Sequence, residues 1–314
     1  MEKVILKNIF NENVEVKIVD NQNDADFITH AGTFHADEVM VTVILLNKFK
    51  SIKLSRVNTI TNINAFCYDI GFGKFDHHGV DFDLKRENGI KYASCGLVWK
   101  EFGKDILGSL NIKDKEAFIE SVDKNLIMDI DRDDNGQKLV HEPEIKQQAL
   151  PSLISSFNPS WNEDDSENKK FLEALSFANT VFNNMVSKML SKEAARDIVE
   201  KAISESKDGI LILDKYMPWK DLVLSSSNPK AKEIYYTVFP SKRGGYNIVG
   251  VPLQSGSFEV RKPFLESWGG LNEKKLKEVS GIKTIKFCHK GLFICASELL
   301  EDAIKIAKVS IASK

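Results

Sequence analysis

The stretch Ala25-Asp-Phe-Ile-Thr-His30-Ala-Gly-Thr-Phe-His35-Ala-Asp37-Glu-Val-Met-Val-Thr-Val-Ile-Leu-Leu46 decides the fold. Its apolar pattern predicts a strand over residues 25–29, a short loop, and an apolar-rich helix over about residues 36–49. His30, His35 and Asp37 then fall where a strand ends and a helix begins. Open α/β sheets bind ligands at the carboxyl ends of their strands, so this segment aims three donors into one crevice.

Strand-like runs flank it at residues 14–19, 52–57 and 65–68, and a helix is expected near residues 94–102. Strands alternating with helices predict an α/β class built on a mostly parallel sheet. Helical spacing returns over about residues 114–130 and again over 167–206, where Phe171, Leu175, Ala178, Phe182 and Met185 recur on one face. Residues 151–165 read as an exposed loop. A length of 314 residues, at roughly 150 per domain, gives two domains. Residues 1–206 are expected to form the metal-binding catalytic domain, with a helical segment over 166–206. Residues 207–314 form a smaller α+β domain, with strands at 210–213, 234–239 and 246–251 and two more within 284–296. Its helices are expected near 273–279 and 299–309.

Hydrophobic residues at 42% and charged residues at 28% are the proportions of a soluble globular protein. The longest apolar run, residues 39–46, contains Thr42 and is far shorter than the roughly 20 residues that span a bilayer. The N-terminal Met1-Glu-Lys-Val-Ile-Leu-Lys7 carries an early acid and lacks a secretory pattern. Cysteines stand at 67, 95, 288 and 295 without a Cys-x-x-Cys pair. A reduced, cytoplasmic protein with no membrane association is therefore expected. Lys and Arg total 43 against 45 Asp and Glu, a net charge of −2, so no global field draws in duplex DNA and any nucleic acid must be held locally.

Four of the six histidines lie within the first 80 residues, interspersed with carboxylates. To His30, His35 and Asp37 are added Asp69, just past the strand at 65–68, and Asp76-His77-His78 in a loop with glycines at 71, 73 and 79. An acidic run from Asp129 through Asp131 to Asp134 ends the helix that begins near residue 114. Acids are unfavourable at a helix C-terminus, so a cation would ease their accumulation. Singly, each of these residues reads as an ordinary surface or core side chain; their conjunction is what signals a metal site. The donors exceed what one tetrahedral Zn²⁺ needs and suit two cations sharing a carboxylate. Mixed oxygen and nitrogen donors favour Mn²⁺, with Mg²⁺, Co²⁺ or Fe²⁺ as alternatives. Two such ions, about 3.5–4 Å apart, activate a bridging water for in-line displacement at phosphorus. No Gly-x-Ser-x-Gly elbow, P-loop or dinucleotide fingerprint is present.

Several motifs resemble the melanocyte-proliferating-gene family of DHH-related metal hydrolases, itself similar to the DHH phosphoesterase superfamily of RecJ-type exonucleases and manganese pyrophosphatases. In the first domain they are Thr29-His-Ala-Gly-Thr-Phe-His-Ala-Asp-Glu38, Phe75-Asp-His-His78 and Ser94-Cys-Gly-Leu-Val-Trp-Lys-Glu-Phe-Gly103. The likeness continues through Asp134-Asn-Gly136, Leu213-Asp-Lys-Tyr-Met-Pro-Trp-Lys220, Ser257-Phe-Glu-Val-Arg-Lys-Pro263, Trp268-Gly-Gly-Leu271 and Val279-Ser-Gly-Ile282. It departs at Phe287-Cys-His-Lys-Gly-Leu-Phe-Ile-Cys-Ala296, where the family commonly pairs two glycines after the histidine.

The resemblance implies a DHH-phosphoesterase-like first domain in which His30, His35 and Asp69 hold one cation. Asp37, Asp69, His77 and an acid of the fourth motif would hold the other. Asp131 is the expected acid, with Asp134 as the alternative. Asp69, Asp76 and His78 would be catalytic, with His78 facing the substrate phosphate. The second domain would close over the metals and present Arg261, Lys262 and His289 to phosphates; Arg261 is one of six arginines, and a guanidinium matches phosphate bidentately. The implied activity is that of a 3′-5′ exonuclease on RNA or short single-stranded oligonucleotides, in a chain compatible with a homodimer. The alternatives are a small-molecule phosphatase, pyrophosphatase or cyclic-dinucleotide hydrolase, and a metal-stabilised binding module without turnover.

Overall fold

A computed structural model describes residues 2–137 and 148–313. It divides into two compact units, Met1–Lys188 and Met189–Lys314, each built on its own five-stranded sheet.

The first sheet contains β1 (Lys3–Lys7), β2 (Asn13–Ile18), β3 (Phe27–His30), β4 (Ser51–Val57) and β5 (Phe66–Cys67), in the order β1-β2-β4-β3-β5. β1 runs antiparallel to β2, and every other pairing is parallel, as the alternation of strands and helices predicts. β1 was not expected: none of its side chains is fully buried, so it lacks the apolar face that marks an inner strand. In β2, by contrast, Val14, Val16 and Ile18 alternate into the core.

Besides a 3-10 turn at Gln22–Asp24, several helical segments among the described residues accompany this sheet. They are α1 (Ala36–Leu46), α2 (Ser94–Leu107), α3 (Lys115–Val122), a π-helical turn (Asp123–Ile127), α4 (Met128–Asp134), α5 (Leu150–Ser155) and α6 (Glu167–Glu205). Every residue of α1 is buried, which accounts for its nearly unbroken apolar sequence. Thr42, its polar residue beyond the first turn, is hydrogen-bonded to the Glu38 carbonyl at 2.9 Å and to the Tyr68 hydroxyl at 2.7 Å. The helix predicted over 114–130 is real, but the π turn interrupts it and it runs on to Asp134. The expected loop at 151–165 begins inside α5, because Pro151 sits in the first turn, where no helical N–H is required of it. The division between the units falls within α6.

The second sheet has the order β6-β7-β8-β10-β9, from β6 (Ile210–Ile212), β7 (Tyr236–Pro240), β8 (Tyr246–Gly250), β9 (Ile285–Cys288) and β10 (Ile294–Ser297). Only β6 and β7 are parallel; the other pairings are antiparallel, which gives the α+β character expected. One core gathers Ala195, Val199 and Ile203 of α6 with Trp219 and Leu222, the latter in α7 (Lys220–Ser225). Another gathers Tyr236, Trp268 and Cys288 with Leu276 of α8 (Glu273–Ser280) and Ile306 of α9 (Leu300–Ala312). No helix among the described residues is long and apolar enough to cross a membrane.

Candidate metal centre

Parallel pairing brings the first donors together. β3 and β5 align Ile28 with Cys67, and two residues further on, at the sheet's carboxyl edge, His30 meets Asp69. His30 Nε2 lies 3.4 Å from Asp69 Oδ2. Asp69 adopts a left-handed backbone with φ of 57°, and its N–H donates to the Phe75 carbonyl at 3.0 Å, which ties the start of the Asp76-His77-His78 loop to its end. The other oxygen of Asp69 faces His77 Nδ1 and His78 Nδ1, each at 3.6 Å. One carboxylate therefore looks two ways.

The N-termini of two helices complete the cluster. His35 is the N-cap of α1, and the carboxylate of Glu38 accepts from the His35 backbone N–H at 3.0 Å, which satisfies a donor that a helix start leaves free. Glu38 is fully buried and stands 3.0 Å from His30 Nε2. Its partner in the first turn, Asp37, is held by the start of α2: Ser94 N–H donates to Oδ2 at 3.0 Å and Cys95 N–H to Oδ1 at 2.6 Å. A helix N-terminus is the place where a buried carboxylate costs least, because free N–H groups and the positive end of the dipole meet it there. Ser94 also donates its hydroxyl to Asp69 Oδ1 at 3.2 Å and lies 3.3 Å from His77 Nδ1.

The acid of the fourth motif that meets this cluster is Asp134. Its Oδ2 lies 2.9 Å from His77 Nε2. Asp131, the acid expected from sequence, turns elsewhere: it accepts from Gly96 N–H at 2.8 Å and from Arg86 at 2.7 Å. Arg86 also grips Asp123 of the π turn at 2.6 and 2.7 Å. The cation that eases the acidic helix end is thus, for Asp131, a guanidinium. A Cβ at position 96 would stand 2.8 Å from both Arg86 and the Tyr92 ring, so only glycine lets α2 start this close.

The carboxylate of Asp76 stands within 4.8 Å of donor atoms of Asp69, His77 and His78, but its own hydrogen bonds run to the loop that carries it. It is buried and accepts from Phe72 N–H at 2.6 Å, His78 N–H at 3.1 Å and His78 Nδ1 at 2.7 Å. These bonds orient the imidazole of His78, which is 56% exposed on the wall of a cavity of about 630 Å³. His30, His35, Asp69, Asp76 and Asp134 share that wall.

The electrostatics suit a cation. Burial pushes Asp37 well above the usual carboxylate range, and repulsion from Asp69, Asp134 and Asp131 adds to it. Burial likewise raises Glu38, against the pull of His30. Burial disfavours a charged His30, but its bonds to Asp69 and Glu38 outweigh that and lift it to about 10. Asp134 raises His77 in the same way against burial. Burial brings Asp131 to about 7 even with Arg86 beside it. Like-charged carboxylates crowded in a dry site raise one another's proton affinity, and a divalent cation removes that repulsion. The donor atoms fit one: those of Asp37, His77 and Asp134, of His30, His35 and Glu38, and of Asp69, Asp76, His77 and His78 form sets whose members lie within 4.8 Å of one another. Cys95 joins Asp37 and Asp131 in a further set, but burial holds its thiol protonated.

The second-unit residues do not gather at a comparable site. Arg261 donates to the carbonyls of Ala231 at 2.6 Å and Ile234 at 2.9 Å, and Lys262 donates to the Ser313 carbonyl at 2.6 Å. Each of these two cations thus has a backbone oxygen as partner, Arg261 through Nη1 and Lys262 through Nζ. His289 sits exposed at the β9–β10 turn, accepting from Gly291 N–H at 2.9 Å, with its ring 4.5 Å from that of Phe293. The sequence reading missed Glu38, Ser94 and Arg86. Glu38 has a signal in hindsight, a glutamate three residues after the N-cap position; Ser94 and Arg86 gain their roles only through tertiary contact.

Together these features define a mixed α/β protein with imidazoles and carboxylates converging at the carboxyl ends of parallel strands. The family follows from comparison: residues 26–311 match the MYG1_exonuc model, described as an uncharacterised protein family (UPF0160), and the chain belongs to that MYG1 family. It is 30% identical to a MYG1 protein of Saccharomyces cerevisiae, over 90% of this chain and 95% of the relative. To a MYG1 protein of Schizosaccharomyces pombe it is 28% identical, over 90% and 96%. To the MYG1 exonuclease of Homo sapiens it is 25% identical, over 91% and 85%. No solved structure gives a significant match.

Proposed function

We propose that this chain is a metal-dependent phosphodiesterase, a 3′-5′ exonuclease on RNA or short single-stranded oligonucleotides, and that its first unit is a DHH-phosphoesterase-like domain. The observation that carries the reading is the two-faced placement of Asp69 between His30 and His77. The names of mammalian relatives as MYG1 exonucleases, including that of Rattus norvegicus at 27% identity, support the reaction class. The polarity and the RNA preference rest on the family resemblance.

His30 and His35, with one oxygen of Asp69, would hold one divalent cation, Mn²⁺ being the best match to the donors. Asp37, the other oxygen of Asp69, His77 and Asp134 would hold the second; Asp134 replaces Asp131 in this set. Two cations, when bound, would supply an activated water and charge neutralisation on the leaving oxygen. The chain's own groups do the positioning. The α2 N–H groups fix both oxygens of Asp37, and Ser94 fixes Asp69. His78, with Nδ1 held by Asp76, would turn the far side of its ring to a phosphate oxygen in the cavity. Asp76 is accordingly a positioning residue.

The test is Mn²⁺-dependent cleavage of end-labelled RNA and DNA oligonucleotides, resolved by length, with Asp69→Asn alongside. A ladder shortening from the 3′ end, absent in the variant and absent without metal, is expected. Cleavage that persists in Asp69→Asn would overturn the mechanism. Hydrolysis of pyrophosphate or cyclic dinucleotides in place of oligonucleotides would move the substrate to small phosphorylated molecules.

A further inference from the structure

The loop between Asp69 and Asp76 places an aromatic side chain where the backbone resists it. Asp69, Gly71 and Phe72 have φ of 57°, 87° and 57°. For glycine this conformation is free, as at Gly71, where a Cβ would also displace the end of the Ile60 side chain. For a bulky residue such as phenylalanine it is strained, and such strain persists only where the surroundings enforce it. Here the 2.6 Å bond from Phe72 N–H to Asp76 enforces it, through the same carboxylate that orients His78.

Burial does not explain the choice of residue, because Phe72 is 74% exposed. Its position does suggest an explanation. Phe72 lines the donor-rich cavity and also a second cavity of about 730 Å³ beside it, and the two share Ile70 and Gly71. The second cavity falls in the range of about 300–1,000 Å³ typical of small-ligand pockets. Its wall is mostly apolar, with Ile60, Ile63 and Phe75 alongside Asn58 and Thr59, whose side chains carry donors and acceptors. A molecule with its phosphate against the imidazoles and carboxylates would extend its next portion across Phe72 into this space.

We infer that Phe72 is a stacking platform for the nucleobase of the nucleotide whose phosphate sits at the donor cluster, and that the neighbouring cavity receives that base. This rests on the phosphodiesterase reading above and adds to it a specificity-determining residue. Base–aromatic stacking tolerates every base, since each has a π-face, and such a contact gives general rather than sequence-restricted recognition.

Binding of AMP and of ribose 5-phosphate to the full chain, measured by calorimetry with Mn²⁺ present, tests it. The wild type is expected to prefer AMP by about 5- to 150-fold, the range that aromatic–base stacking supplies. Phe72→Gly should erase that preference while leaving ribose 5-phosphate affinity unchanged. Glycine keeps the N–H that Asp76 accepts and suits the positive φ, so the melting temperature should not fall. Phe72→Trp should retain the preference. Equal affinities in the wild type, or an undiminished preference in Phe72→Gly, would overturn the inference. The two readings fail separately: oligonucleotide cleavage tests the reaction, and the AMP to ribose 5-phosphate ratio is read from binding alone.

Discussion

In the first unit, charged side chains from five places in the sequence converge on one another; in the second, Arg261 and Lys262 turn onto backbone carbonyls. Both sets look equally functional as letters. The difference lies in what surrounds them. His30, Asp37, Asp69, His77 and Asp134 are carried by two adjacent strand ends, a helix start, the loop that follows Asp69 and a helix end, and these elements meet at one edge of the sheet. Arg261 and Lys262 lie in a segment without regular structure, where carbonyls of Ala231, Ile234 and Ser313 lack ladder partners and a long cation can serve them. A cation near unpaired carbonyls has a structural use that competes with any role at phosphate.

The sharpest test of this contrast lies in the first unit's own structural cation. The Arg86 side chain is 6% exposed and pairs with the fully buried Asp131. Arg86→Met leaves Asp131 without its charge partner, and breaking a buried pair from one side costs about 3–5 kcal/mol. Urea denaturation should show that loss in the midpoint without a change in slope. A loss below about 1 kcal/mol would mean that Asp131 is satisfied by its bond to Gly96 alone.

A second comparison sits within one helix. Asp131 and Asp134 are three residues apart, yet one meets Arg86 and the other His77. Asp134→Asn should weaken Mn²⁺ binding by ~100-fold, the upper end of what perturbed metal sites lose. Asp131→Asn should leave Mn²⁺ affinity within a few-fold and lower stability instead. Calorimetric titration of both variants decides between them; the reverse pattern would restore Asp131 as the ligand.

These two acids also mark where sequence reading stops. The strand at 27–30, the buried α1 and the inner strands were legible because apolar periodicity is local. The cluster was legible because His30, His35 and Asp37 follow a strand end and Asp69 follows another. The choice between Asp131 and Asp134 was not, since it depends on the π turn at Asp123–Ile127, which shifts the register of α4, and on an arginine 45 residues before Asp131. Glu38 escaped notice for a similar reason: its N-cap geometry is local, but its approach to His30 is tertiary.

Arg261→Met extends the contrast to the second unit. Removing its bonds to two carbonyls should cost about 2 kcal/mol, from the desolvation of acceptors left without donors, while KM for oligonucleotides stays unchanged. A raised KM at unchanged stability would return Arg261 to the phosphate.

The smallest effect expected concerns a residue that touches no donor side chain. Asn158 braces the loop between His30 and His35 from the far side: its Oδ1 accepts from Phe34 N–H at 2.9 Å and its Nδ2 donates to the Phe34 carbonyl at 2.8 Å. This pair of bonds does for the loop what a neighbouring strand would do, and it fixes the chain direction one residue before His35. Residues that orient metal ligands without binding the metal typically contribute a factor of about 10–100 in affinity. Asn158→Ala should therefore weaken Mn²⁺ binding by ~10-fold, the low end of that range, because Glu38 still holds the His35 N–H. Asn158→Asp keeps the acceptor and loses the donor, so it should fall between the two. If Asn158→Ala binds Mn²⁺ as the wild type does, capping by Glu38 alone positions His35, and the convergence of the first unit needs no support from beyond the helix starts.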